Sequence, residues 1–171
     1  MNQRQELISW EDVHRLIDNL LQQFDHKYNV LLMITRGGIV PGGFLAEAMD
    51  IRNIYTASVD FFEAHESPGQ AKSPYLAWPK FLQFPDNAVL TGERVLIVDD
   101  VWGSGRTITA VRKRVAAAGG LPSTCVLHFN PYRNLFDSSK PDYYGATTDA
   151  RIIYPWEVEH GFRNPLLPNK S

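Results

Sequence analysis

Apolar positions along the chain change period several times, and each change marks an element. Trp10, Val13, Leu16, Ile17, Leu20, Leu21 and Phe24 recur every three or four residues, which predicts an amphipathic helix ending near Phe24. Ser9 followed by Asp12 forms a capping-box pattern at its start. Val30–Ile34 is a continuous apolar run, the signature of a strand buried on both faces. It stops at Thr35-Arg36-Gly37-Gly38, and after Pro41 a second helix carries Phe44, Leu45, Ala48 and Met49. Ile54–Val59 reads as a less apolar strand. Regularity then lapses from Asp60 to Gly92, a stretch with four prolines (Pro68, Pro74, Pro79, Pro85) and scattered aromatic residues. Loops of that length in compact domains are usually functional lids or disordered segments. Arg94–Val98 restores a strand that runs straight into Asp99-Asp100, and a helix from about Arg106 to Ala118 ends at Gly119-Gly120. Thr124–Phe129 and Arg151–Tyr154 complete the strand candidates. Strands alternating with helices predict an α/β fold: one domain over residues 1–171, with a doubly wound, mainly parallel sheet.

Composition narrows the class. A chain of 171 residues with 44% hydrophobic residues suits a single core. Its net charge of −2 lacks the basic footprint of a nucleic-acid binder. No run of about 18 apolar residues occurs, which argues against a membrane span. The polar start MNQRQELISWED is unlike a secretory leader, so a cytoplasmic protein is expected. The single cysteine, Cys125, sits in an apolar run and reads as a buried, inert thiol. The five histidines have no metal-ligand spacing. His128 reads equally as a pocket residue or a satisfied structural histidine.

The chemistry concentrates at Asp99-Asp100-Val101-Trp102-Gly103-Ser104-Gly105-Arg106-Thr107. In doubly wound sheets, ligands bind beyond the carboxyl ends of the strands. Two acids ending a buried strand need partners, and sugar hydroxyls or a hydrated Mg²⁺ would serve. A loop of small residues opening a helix offers backbone N–H groups to a phosphate, with the Ser104 and Thr107 hydroxyls as further donors. A ligand-free turn capped by acids is the plainer reading of the same residues. Neither a dinucleotide fingerprint nor a Walker loop fits the spacing. At the other strand end, Arg36 offers a guanidinium fork and Gly37-Gly38 a close backbone approach, although a surface salt bridge would also account for Arg36. Trp102, a large ring inside the loop, reads first as local packing.

The segment around Asp99–Thr107 resembles the phosphoribosyl pyrophosphate (PRPP) signature of the type I phosphoribosyltransferases. Thr35–Gly42 is similar to the pyrophosphate loop of the bacterial xanthine-guanine branch, and Ile153-Tyr154-Pro155-Trp156-Glu157 is similar to a motif near that branch's C-terminus. The motifs keep their chain order across residues 30–160. The resemblance implies transfer of ribose 5-phosphate from PRPP to a nucleobase, a purine above all, with release of pyrophosphate and help from Mg²⁺. Asp99 and Asp100 then hold the ribose hydroxyls or water on the metal. Gly103, Ser104, Gly105, Arg106 and Thr107 take the 5-phosphate, and Arg36, Gly37 and Gly38 the pyrophosphate. Lys80 is matched to a basic residue meeting pyrophosphate, residues 60–92 to a lid, and residues 130–171 to a base-side hood. A cis peptide at Thr35–Arg36 and a homo-oligomeric assembly are also implied.

Three positions depart from the 6-oxopurine pattern. Gly103 stands where an aspartate accepts the purine N7 proton, Asn130 where a lysine meets O6, and Arg151 (followed by Ile152) where an aromatic ring stacks on the base. These departures leave open a second reading, a PRPP- or nucleotide-binding regulator with weak or no transferase activity.

Overall fold

The computed structural model describes residues 4–62, 78–136 and 138–158. The elements run β1 (Gln5–Leu7), α1 (Trp10–Leu21), β2 (Val30–Ile34), α2 (Ile39–Ala48), β3 (Asn53–Phe62), β4 (Trp78–Gln83), β5 (Arg94–Trp102), α3 (Arg106–Ala117), β6 (Leu121–Phe129), β7 (Tyr143–Thr147), β8 (Arg151–Ile153) and α4 (Pro155–Val158), with a 3₁₀ turn at Asn87–Val89. Six strands form one sheet in the order β4-β3-β2-β5-β6-β7, and β1 pairs with β8 in a separate two-stranded sheet. All pairings are parallel except β3 with β4.

The capping box at the start of α1 is present. Asp12 N donates to Ser9 Oγ at 3.1 Å, and Ser9 N donates to Asp12 Oδ2 at 2.9 Å. Val13, Leu16, Ile17 and Leu20 form the buried stripe of α1, and they pack with Leu45 and Ala46 of α2 on one face of the sheet. Side chains alternate across the central strand: Leu96 and Val98 join that cluster, while Val95 and Ile97 join Ile108, Val111 and Val115 of α3 on the opposite face. Helices therefore cover both faces, which makes the sheet doubly wound. Cys125 is fully buried, and that burial pushes its thiol pKa up, out of the reactive range.

Part of the stretch read as irregular is strand. β3 extends to Phe62, and β4 lies antiparallel on it at the sheet's edge, with Asp60 opposite Lys80 and Phe61 opposite Pro79. Pro79 hid β4 from a reading by pattern; an edge strand tolerates proline because only one of its sides must pair. Residues 63–77 of the expected lid lie outside the described residues. The short strands β1 and β7 carried no period to detect. β1 adds an N-terminal strand beside β8, with Gln5, Glu6 and Leu7 opposite Arg151, Ile152 and Ile153. Among the described residues, no helix is long and apolar enough to cross a membrane.

Candidate active site

Strands β2 and β5 are neighbours, but the chain leaves them in opposite directions. From β2 it passes through α2 to β3, and from β5 through α3 to β6. That divergence opens a crevice at their carboxyl ends, the usual ligand position in such sheets. Register runs Val30 to Val95 through Met33 to Val98, so Thr35–Gly38 and Asp99–Asp100 emerge side by side.

Gly37 and Gly38 make that proximity possible. A Cβ on Gly37 would fall 2.5 Å from the Asp100 Cγ, and one on Gly38 would fall 2.2 Å from the Val98 carbonyl oxygen. Any side chain at either place collides with β5. Gly38 N donates to Ile34 O at 2.8 Å and Ile39 N to Arg36 O at 3.1 Å, closing the turn into α2. The Thr35–Arg36 peptide is cis, as the resemblance implied. Arg36 is exposed and makes no ion pair among the described residues.

Neither acid has a cationic partner among the described residues. Desolvation, then the charge of Asp100, drives the Asp99 pKa well above the usual carboxylate range. Asp100 is pushed up to about 6, chiefly by desolvation, with the Glu157 carboxylate adding repulsion. Two desolvated carboxylates without a counter-ion form a hard-oxygen donor set that fits a divalent cation such as Mg²⁺.

The loop after the acids is braced from below. Gly105 takes φ 77°, a conformation open to glycine, and a Cβ there would lie 2.4 Å from Trp102 Nε1. Trp102 is 1% exposed and packs against Phe129, and its Nε1 donates to Asn134 Oδ1 at 3.1 Å. Local packing is thus the role of Trp102. Ser104 O accepts from Leu135 N at 3.1 Å, and Asn130 N donates to Trp102 O at 2.9 Å. Asn134 escaped sequence reasoning, because nothing local signals that an asparagine 32 residues away will hold an indole. Arg106 Nη2 and Thr109 Oγ1, one turn apart on α3, are buried without a hydrogen-bond partner among the described residues. The Arg106 guanidinium sits 4.3 Å above the Phe61 ring, so the β3–β4 ribbon reaches over this loop.

Other candidate residues are dispersed. Lys80 is exposed on the outer strand of the ribbon, with β3 and β2 between its strand and β5. Asn130 is 2% exposed and already engaged: its Oδ1 accepts from Tyr132 N at 3.1 Å, and its Nδ2 donates to Ala150 O at 3.4 Å. The Arg151 side chain is exposed, and Ile152 packs in the α1-side core, opposite Glu6 in the β1–β8 pair. Gly103 has open space where a Cβ would project. His128 is a satisfied structural histidine, with Nδ1 2.8 Å from Tyr154 Oη.

An acid pair and a glycine-lined loop thus meet at the switch point of a doubly wound α/β sheet. The chain matches the phosphoribosyl transferase domain over residues 5–160 and belongs to that family. It is 30% identical over 165 residues to the xanthine-guanine phosphoribosyltransferase of Roseobacter denitrificans, covering 92% of this chain and 88% of the relative. Among solved structures it is similar to a purine phosphoribosyltransferase from Pyrococcus horikoshii, with TM-score 0.73, 26% identity, and coverage of 96% and 98% of the two chains. It is also similar to a Neisseria gonorrhoeae protein solved with bound ppGpp, with TM-score 0.74, 25% identity, and coverage of 92% and 91%.

Proposed function

We propose that this phosphoribosyltransferase moves ribose 5-phosphate from PRPP to a purine and releases pyrophosphate, as a salvage enzyme of the cytoplasm. The observation that carries the reading is the desolvated pair Asp99–Asp100, with no cationic partner among the described residues and with Asp100 set against Gly37 at the crevice. Bond cleavage at C1 of the ribose builds positive charge on the sugar and negative charge on the departing pyrophosphate. The chief task is to hold both anionic ends while the base approaches. Asp99 and Asp100 hold the ribose hydroxyls or water on the metal. Backbone N–H groups from Gly103 to Thr107 hold the 5-phosphate at the start of α3. Arg36, with the close-lying Gly37 and Gly38, meets the pyrophosphate as it leaves. Bound Mg²⁺, held through Asp99 and Asp100, would supply charge neutralisation for that leaving group.

The contact of Arg106 with Phe61 supports a lid role for residues 60–92, whose closure would exclude water. Lys80 rides on that ribbon and would reach pyrophosphate only on closure. Of the base-side hood expected over residues 130–171, residues 137 and 159–171 lie outside the described residues; Asn130, Arg151 and Ile152 are its candidate contacts. Exposed apolar side chains at Ile39, Phe44 and Ile54 support a homo-oligomer. A nucleotide-binding regulator is the second reading, favoured by the ppGpp-bound relative and by the committed amide of Asn130.

Incubation of the chain with Mg²⁺–PRPP and guanine, hypoxanthine, xanthine, adenine, uracil or orotate separates the two. A nucleotide product from a purine, resolved by chromatography, is the expected result. PRPP binding without product from any base would move the regulator ahead.

A further inference from the structure

Tyr154 and His128 belong to neither ligand loop, yet both are buried, at 1% and 4% exposure, directly behind the acid strand. Tyr154 Oη lies 2.9 Å from the main-chain oxygen of Asp100 and 2.8 Å from His128 Nδ1. A carbonyl oxygen only accepts, so the single phenol proton goes to Asp100. The phenol oxygen then accepts from His128, which requires the neutral imidazole to carry its proton on Nδ1. Burial favours that neutral form.

The β5–β6 ladder pairs Asp99 with Val126 and Val101 with His128, stepping past Asp100. At that step the Asp100 carbonyl accepts a hydrogen bond from Tyr154 Oη, just past the end of β8. The Tyr154 ring cannot swing aside, because it stacks on Trp156 at 4.5 Å and 4°, and Trp156 in turn lies 5.9 Å from Trp10 of α1.

We propose that Tyr154, oriented by His128, is a positioning residue: it grips the Asp100 carbonyl and sets the aim of the carboxylate that meets the sugar. The sugar-side role of Asp100 comes from the proposed function, so this inference rests on that reading.

The test compares Tyr154→Phe, His128→Ala and His128→Asn, since an asparagine amide can return an N–H near the position of Nδ1. Calorimetric titration with Mg²⁺–PRPP reads the sugar side, and the KM for the base reads the hood. Tyr154→Phe should weaken Mg²⁺–PRPP binding about fivefold, the scale of one hydrogen bond, with the base KM within twofold of the parent. His128→Ala should shift in the same direction, and His128→Asn should recover to within twofold. Unchanged PRPP affinity in Tyr154→Phe, equal weakening on both sides, or no difference between the two His128 variants would each overturn the proposal. Should one variant fail to fold, the other two still decide it. Titration needs no turnover: a parent that binds PRPP but converts no base defeats the transferase reading alone, whereas a parent that turns over with Tyr154→Phe unaffected defeats this inference alone.

Discussion

Replacing Asp100 by asparagine removes a charge that the empty fold holds at a cost. Its carboxyl is pushed from about 3.8 in an unfolded chain to about 6 in the folded one, mainly because β5 and Gly37 take it out of water. The folded state therefore binds the proton more tightly than the unfolded state does. The corresponding stability is complete below about pH 4 and is lost as pH rises through about 6. A displacement of roughly two units corresponds to about 2–3 kcal/mol. For a chain of this size that is about 4–10 °C in melting temperature. Asp100→Asn, which keeps the shape and drops the charge, should melt higher than the parent by that amount at pH 8 in the presence of a chelator. At pH 3.5 the two proteins should melt together. On the proposed role of Asp100 toward the metal and the sugar, turnover with Mg²⁺–PRPP should fall by about a hundredfold or more in the same variant. Thermal scans at both pH values check this. An equal gain at both pH values, or a variant that melts below the parent at pH 8, would refute the claim that the fold strains against this carboxylate.

Other outcomes follow from single contacts. Gly103→Asp meets no atom at its Cβ, so the variant should fold normally, and it should raise kcat/KM with guanine or hypoxanthine about tenfold or more, read by product chromatography. Gly105→Ala forces a left-handed backbone and drives a methyl into the Trp102 indole; it should cost about 2–4 kcal/mol in denaturant unfolding and weaken PRPP binding. His128 is pushed down to about 4 by burial, so the stability tied to its neutral form is complete above about pH 6.5 and lost as pH falls toward 4. Nitrogen NMR should find the ring neutral at pH 6, with its proton on Nδ1.

Much of the site was readable along the chain because its parts are local. A buried strand ending in Asp99-Asp100, and small residues opening a helix, are signals carried by consecutive residues. So is Arg36-Gly37-Gly38 after β2. The same locality explains the success with α1, whose cap and apolar stripe need no distant partner. β1 escaped because a strand of three residues has no period to read; it exists by pairing with β8, which the Arg151–Tyr154 run had marked. β4 was masked by Pro79, which only its place at the edge makes acceptable.

By itself, then, the sequence determined the alternation of strands and helices, the two ligand loops and the family to which they point, because backbone preference and burial pattern act over a few neighbouring residues. Tertiary structure alone decided which strands adjoin, and so that Gly37 would lie against Asp100. It also decided that Asn134 would hold Trp102 and that Tyr154 would hold the Asp100 carbonyl, across 32 and 54 residues of chain. Those contacts depend on close packing between segments remote in the chain, and no local pattern encodes a partner's distance.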